Sequence, residues 1–364
     1  MNITIIGAGA VGLATTVTLA AAGHKVRLVD PAPASGATHH AGGMLAPAAE
    51  VVYQQDPLFP LMQAAGQWYP ELLDLIAHHT QLPTGHRTDG TLVLAADRAD
   101  AEHLRNVQDY QAAHGMTVER ISTREARTME PALTPRLAGA VSIPGDHQVF
   151  PRQLAAAMLD AARNLGVDIV REQAHSVAGF LKENGGDADR VVLANGLGAA
   201  QMSDEFSSAL QLRPVYGDIL RCAEPEPQQP LVRRVVRGFV EGRPIYIIPR
   251  SDGTIAVGAT SREDGRQQPR AGEIYGLLRD GIRIVPGIEE CDLVEASVGA
   301  RPGTPDDLPY LGYAGEKIIV STGYFRHGIL LSSLAARVTR ELIEGTPVSV
   351  DVSACAPERF AGRS

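Results

Sequence analysis

The chain opens on a short β-branched run, Asn2–Ile6, patterned like a strand buried on both faces. Apolar positions then recur with helical spacing through Leu13, Val17 and Ala20 and stop at Gly23, a residue suited to the C′ position. A second strand, HKVRLVD, closes at Asp30. Residues 58–77 read as a long helix, and 97–135 as a charged helical stretch without a recognisable site. An amphipathic helix is expected from about Pro151, followed by a strand at Val167–Val170. A further buried strand lies in DRVVLANGLGAA, residues 189–200, and ends at Asn195–Gly196. Between Leu212 and Thr260 the period changes to two, in VRGFVEG, PIYIIPR and TIAVGAT, which reads as an antiparallel sheet. A last apolar stretch of helical spacing follows Gly328.

These elements predict an α/β protein with two interleaved units. A Rossmann-like nucleotide-binding domain is expected over 1–50, 135–205 and 295–364. An antiparallel-sheet α+β substrate domain is expected over 51–134 and 206–294. The length of 364 residues suits two such units. No internal repeat, low-complexity tract or flexible linker interrupts them.

Composition narrows the function. The chain is 44% hydrophobic and 21% charged, with a net charge of −9 and no basic stripe, which makes nucleic acid a poor partner. Cys222, Cys291 and Cys355 are far apart and form no CxxC, so they read as structural thiols of a reducing cytosol. MNITIIGAGAVG lacks the basic lead-in of a signal peptide, and the apolar run at Ala8–Gly23 is too short and polar to span a membrane. A cytoplasmic location is expected. His39–His40 and His78–His79 are adjacent pairs that read as solvated or packing residues, and no metal is expected.

The turn after the first strand carries the chemistry. In GAGAVG, Gly7 permits the tight turn, Gly9 the approach of backbone to a pyrophosphate, and Gly12 close helix–strand packing. The helix start offers free N–H groups to the phosphates, and Asp30 an acceptor for an adenosine ribose. An acid there disfavours a 2′-phosphate. A second glycine-rich loop at Pro31–Glu50, with Gly36, Gly42 and Gly43, suits a ligand reaching well past its pyrophosphate, as an extended FAD does. There is no second GxGxxG and no dithiol, so the reduced cofactor is expected to discharge to oxygen or another small acceptor.

Towards the C-terminus two arginines stand among glycines: Arg301 in VGARPGTPDDLPYLG and Arg326 in GYFRHGILLS. Such arginines suggest a pocket for a carboxylate, and Tyr246 in PIYIIPR could supply a hydroxyl to the same group. Arg250, at the end of that segment, is expected to point to solvent.

The motifs GAGAVG, AGGML (Ala41–Leu45), VVLANG (Val191–Gly196), YIIPR, GARPGTPDDLPYLG and GYFRHGILL span nearly the whole chain. Together they resemble the D-amino-acid oxidase superfamily, and most closely its glycine oxidases associated with thiamine biosynthesis. The resemblance implies a substrate carboxylate held by Arg301, with Arg326 and Tyr246 at the same site. It implies FAD lining by Gly7, Gly9, Ala10, Val11 and Gly12, by Asp30, Pro31, Ala37 and Thr38, and by Gly42, Gly43, Met44 and Val177. The segment Tyr324, Phe325, Arg326, His327, Gly328, Ile329 and Leu330 would lie against the flavin ring. The implied reaction converts glycine, or another small amine or D-amino acid, and oxygen to glyoxylate, ammonia and hydrogen peroxide, in a homo-oligomer, by family analogy a homotetramer.

The chain departs from the family pattern in three places. Pro31–His40 is shorter and poorer in arginine, Ser332–Ser333 replaces the usual Ala–Pro, and Gly299–Gly312 holds no cysteine, which implies noncovalent FAD. Rival readings are an oxidase of sarcosine, proline or a D-amino acid, a dehydrogenase passing electrons to quinone or using nicotinamide, and a non-catalytic flavoprotein subunit.

Overall fold

The computed structural model describes residues 1–183, 188–202 and 209–361. The chain begins as expected with β1 (Asn2–Ile6), α1 (Ala10–Ala21) and β2 (Lys25–Val29). A two-residue strand β3 (Met44–Leu45) leads to α2 (Phe59–His79), then β4 (Thr91–Ala95), α3 (Arg98–Ala113), β5 (Glu119–Ile121), α4 (Thr123–Met129) and β6 (Gly139–Ile143). The third segment holds β7 (His147–Gln148), α5 (Pro151–Asn164), β8 (Asp168–Val170), α6 (Val177–Glu183) and β9 (Arg190–Leu193). There follow β10 (Arg213–Ala223), β11 (Val235–Val240), β12 (Arg243–Pro249), β13 (Thr254–Gly258), α7 (Ala271–Ile284) and β14 (Asp292–Gly303). The chain closes with β15 (Tyr310–Tyr313), β16 (Ile318–Thr322) and α8 (Ser332–Glu344).

Local chemistry sets several boundaries. Asp97 caps α3 by accepting the Asp100 N–H, and Ser122 with Glu125 forms a reciprocal capping box on α4. Pro151 occupies the first turn of α5, where its missing N–H costs nothing. Gly345 ends α8 in the left-handed region, at φ 68°.

Two large sheets result. The six-stranded sheet runs β15-β16-β9-β1-β2-β8, parallel except at β15–β16. Its central strand β1 buries Ile3 and Ile5 completely; α1 packs on it and in turn against α5 and α8. The aligned register of Ile6 with Leu193, and of Leu193 with Val320, brings three chain turns to one edge of the sheet. They start at Gly7, Ala194 and Gly323, and a ligand crevice is expected at this carboxyl edge.

The eight-stranded sheet runs β14-β10-β13-β12-β11-β4-β6-β5 and is antiparallel except where β11 meets β4. One face, with Val236, Ile247, Ile255 and Val257, packs on α7 through Leu277 and Ile284. The other looks towards the carboxyl edge of the first sheet. The expected division assigned 135–205 and 295–364 to the nucleotide unit, yet β6 and β14 belong to this second sheet. β14 hydrogen-bonds along its length to β10, and β6 to β4, so pairing across long sequence gaps overrides chain position. The expected boundary at 205/206 lies outside the described residues. Among the described residues, no helix is long and apolar enough to cross a membrane.

Candidate active site

The turn after β1 is built on absent side chains. Gly7 takes φ +106°, and a Cβ there would lie 2.5 Å from the Asn195 backbone. A Cβ on Gly12 would stand 1.9 Å from the Gly7 carbonyl oxygen, so Gly12 is a packing glycine behind the cavity wall. The first N–H groups of a helix have no partner within it. That of Ala10 is met by the Thr38 hydroxyl at 2.9 Å, which ties α1 to the 3-10 turn Ala37–His40. Asp30 accepts the Ala8 and Ala32 N–H groups at 2.7 and 2.8 Å and so shapes this turn while facing the cavity.

A cavity of about 700 Å³ extends from this turn to the eight-stranded sheet. Gly7, Gly9, Ala10, Val11, Asp30 and Pro31 line one end, and Ala37, Thr38, Gly42, Gly43 and Met44 its flank. The whole segment Tyr324–Leu330 forms another wall, and Tyr246, Arg301 and Arg326 line the far end. Val177 is not in the wall. It starts α6 and is buried among Ile6, Val29 and Phe180, while Glu172, Gln173 and Ala174, just before that helix, take the position expected of it.

The far end is organised by the pleat. Arg237 on β11 stands opposite Tyr246 on β12, Tyr246 opposite Gly258 on β13, and Gly258 opposite Ile219 on β10. Directly opposed residues share a face, so Arg237 and Tyr246 project to the same side. Ile219 also faces Ser297 on β14, and two and four residues further on the same face carries Gly299 and Arg301. Glycines clear the room. A Cβ on Gly258 would lie 2.6 Å from the Tyr246 hydroxyl, and one on Gly299 would lie 2.6 Å from His40. His40 packs there, bonded through Nδ1 to the Ser297 hydroxyl at 3.0 Å.

Arg301 donates to the Thr260 carbonyl at 3.1 Å and turns the rest of its guanidinium to the cavity. Arg326 donates to the Glu50 carbonyl at 3.2 Å, and the Glu50 carboxylate pairs with Arg237. Burial raises the Tyr246 pKa against the opposing pull of Arg301, Arg250, Arg237 and Arg221, so the phenol stays protonated. Burial likewise lowers the pKa of Arg301 and Arg326, and takes Arg237 down to about 9. An unbalanced cationic pocket of this kind attracts an anion.

Arg250 does not reach solvent. It is 6% exposed, donates to the Val149 carbonyl at 2.8 Å and to the Gly42 carbonyl, and lies 4.9 Å from the Phe150 ring centre. Strand alternation explains this: Tyr246, Ile248 and Arg250 all point to the cavity side, and Arg250 fastens the Gly42–Gly43 turn to the sheet. Arg237 and Glu50 were also not anticipated. The signal for Arg237 was a charged residue in an otherwise apolar strand, whereas nothing in the loop APAAE marks Glu50.

The C-terminal wall is a tight turn. Gly323 has φ +77° and Phe325 φ +47°, and a 3-10 turn spans Phe325–His327. Tyr324 and Ser321 share a hydroxyl hydrogen bond of 2.9 Å. Ser332 and Ser333 close the start of α8 on the Ile329 and Ala65 carbonyls, at 2.7 and 2.8 Å. Burial holds the His327 pKa well below its ordinary value, so the ring is neutral. Its Nε2 and the Asn195 Oδ1 are buried atoms of cavity-lining residues, without hydrogen-bond partners. Two such atoms, a helix N-terminus and a cavity running from a phosphate-type turn to an arginine-lined end fit an extended dinucleotide.

A family model described as FAD dependent oxidoreductase matches residues 2–342. The chain belongs to this family, and its cofactor is FAD. As a member of the FAD-dependent oxidoreductases it is 31% identical over 375 residues to the glycine oxidase of Geobacillus kaustophilus, covering 100% of this chain and 98% of that protein. It is also 31% identical to a putative thiamine biosynthesis oxidoreductase ThiO of Rhizobium etli, covering 95% and 98% of the two chains. The crystal structure of the Geobacillus kaustophilus glycine oxidase superposes with a TM-score of 0.87 at 30% identity over 99% of each chain.

Proposed function

We propose that the chain oxidises glycine, with water and oxygen, to glyoxylate, ammonia and hydrogen peroxide. The observation that carries this reading is the pairing, on one sheet face, of the Arg301 guanidinium and the protonated Tyr246 phenol at the cavity end walled by residues 324–330. A carboxylate placed there accepts from both, and a charge-assisted bond of this kind contributes roughly 1.5–3 kcal/mol. Held so, the substrate has its α-carbon fixed against the 324–330 wall, and orientation supplies much of the rate. When bound, FAD supplies the two-electron acceptor for the α-hydrogen. The carboxylate at this end, Glu50, is engaged by Arg237 and so is not free to take the amine's proton. The amine must therefore arrive neutral.

The residues at the cofactor end support noncovalent binding: Gly9, Ala10 and Thr38 offer backbone and hydroxyl contacts, and Gly299–Gly312 holds no cysteine. Acid precipitation should release all the flavin into the supernatant. The Rhizobium etli relative's name supports a role in thiamine biosynthesis, where the enzyme would supply the glycine imine for the thiazole. We place the enzyme in the cytoplasm as a homo-oligomer; its three cysteines are free, in keeping with a reducing compartment.

The deciding experiment is peroxide production by the flavin-loaded protein across glycine, sarcosine, D-alanine and D-proline. Turnover of glycine is expected. A yellow protein yielding no peroxide with any of them would favour a non-catalytic subunit or a different electron acceptor.

A further inference from the structure

Three guanidinium groups, of Arg237, Arg301 and Arg326, converge on the substrate end of the cavity, and the carboxylate of Glu50 enters among them. Glu50 comes from the loop between β3 and α2, so it crosses from the nucleotide side to meet β11. Both members of the pair are largely enclosed, with side chains 11% and 13% exposed. The groups facing them are Tyr246, opposite Arg237 in the register, Arg326, whose guanidinium bonds the Glu50 carbonyl, and His327, kept neutral by burial.

We infer that Glu50 is a specificity gate: by occupying Arg237 it restricts the site to amines bearing one carboxylate, and its removal opens the site to amines bearing two. The inference rests on the proposed amine oxidation. With Arg301 anchoring the first carboxylate, a second one carried on the amine side must enter beside Glu50. Like charges brought together in an enclosed site repel strongly. Without Glu50, Arg237 is a buried cation acted on chiefly by another cation, Arg326. A buried charge that has lost its partner is the condition under which an incoming anion is most strongly held.

Sarcosine and iminodiacetate test this directly, because they differ only by a carboxylate on the N-substituent. The measured quantity is the ratio of kcat/KM for iminodiacetate over sarcosine in the holoenzyme. Glu50→Ala is expected to raise the ratio by about tenfold or more, and adding Arg237→Gln should abolish the gain. Glu50→Gln, which preserves shape, should move the ratio the same way and covers the case in which the alanine variant does not fold. An unchanged ratio, or a gain that survives the loss of Arg237, overturns the gate. Titration of the visible flavin spectrum with iminodiacetate gives a second readout. Tighter binding by the Glu50 variants supports the gate even if no amine is turned over, a result that would sink the oxidase reading alone. Unaltered binding overturns the gate.

Discussion

The guanidinium of Arg301 lies over the bare backbone of Gly217, where a Cβ would stand 2.3 Å from Nη2 and 2.4 Å from Nη1. Gly217 on β10 faces Gly299 on β14, one pleat away from the Val215–Arg301 pair. The arginine is aimed at the cavity partly because its neighbour has no side chain. Gly217→Ala should push the flexible guanidinium aside without disturbing the strands. The expected outcome is a KM for glycine raised about tenfold, with a melting temperature close to the parent's. Steady-state kinetics paired with a thermal melt checks both.

Arg301→Ala removes the carboxylate anchor itself. KM for glycine should rise by roughly tenfold or more, while the absorbance spectrum shows FAD retained. Unaltered steady-state parameters would remove Arg301 from the substrate site.

Gly9 and Gly12 lie three residues apart in one motif and should behave differently. A Cβ at Gly12 would meet the Gly7 carbonyl oxygen, a backbone atom that no rotamer change can move. Gly12→Ala is expected to destabilise the fold by about 3 kcal/mol or more. A Cβ at Gly9 would sit at an ordinary 3.4 Å from the Thr38 hydroxyl. Gly9→Ala should fold normally and bind FAD more weakly, because Gly9 borders the cavity. Denaturant melts and flavin titration of the apoprotein separate the two effects.

Thr38 completes the N-terminus of α1 through its bond to the Ala10 N–H. Thr38→Val keeps the shape and loses that bond. A lost cap of this kind costs about 1 kcal/mol, so FAD affinity is expected to fall severalfold, with Thr38→Ser recovering it. Fluorescence titration of the apoprotein is the measurement.

Asp146 is 1% exposed and accepts the Ala48 and Ala49 N–H groups, in the loop that ends at Glu50. Burial pushes its pKa up to about 7 despite those two bonds. A carboxyl whose pKa is raised on folding favours the folded state below its unfolded pKa, about 4. That contribution is lost progressively as pH rises through about 7. The difference in melting temperature between Asp146→Asn and the parent should therefore change across this window, with the parent relatively more stable at the acid end. A pH-independent difference would show that Asp146 does not titrate there.

The order of elements was legible because buried strands and amphipathic helices write their periods into the chain. Asn2–Ile6, the helix to Gly23, the helix from Pro151 and the alternating segments of 212–260 all lie where the pattern placed them, within a few residues. GAGAVG was legible for a related reason: its chemistry is carried by backbone, and only glycine meets those demands. The membership of β6 and β14 in the eight-stranded sheet was not legible, since pairing partners more than 40 residues apart leave no mark on local periodicity.

The arginines divide along the same line. Arg301 and Arg326 announce themselves by the glycines around them, although the room for the Arg301 guanidinium is made by Gly217 on a distant strand. Arg237 sits in β11 and Arg250 directly follows β12, in segments whose local pattern is compatible with either face, and tertiary pairing turns them to the cavity. Glu50 stands in an unremarkable loop and acquires meaning only where the fold sets it against Arg237. What the chain determined by itself were the elements and the backbone-borne cofactor turn, because those depend on neighbours in sequence. What tertiary structure alone decided was which charges face one another, because electrostatic pairing depends on distance in space and on exclusion of water.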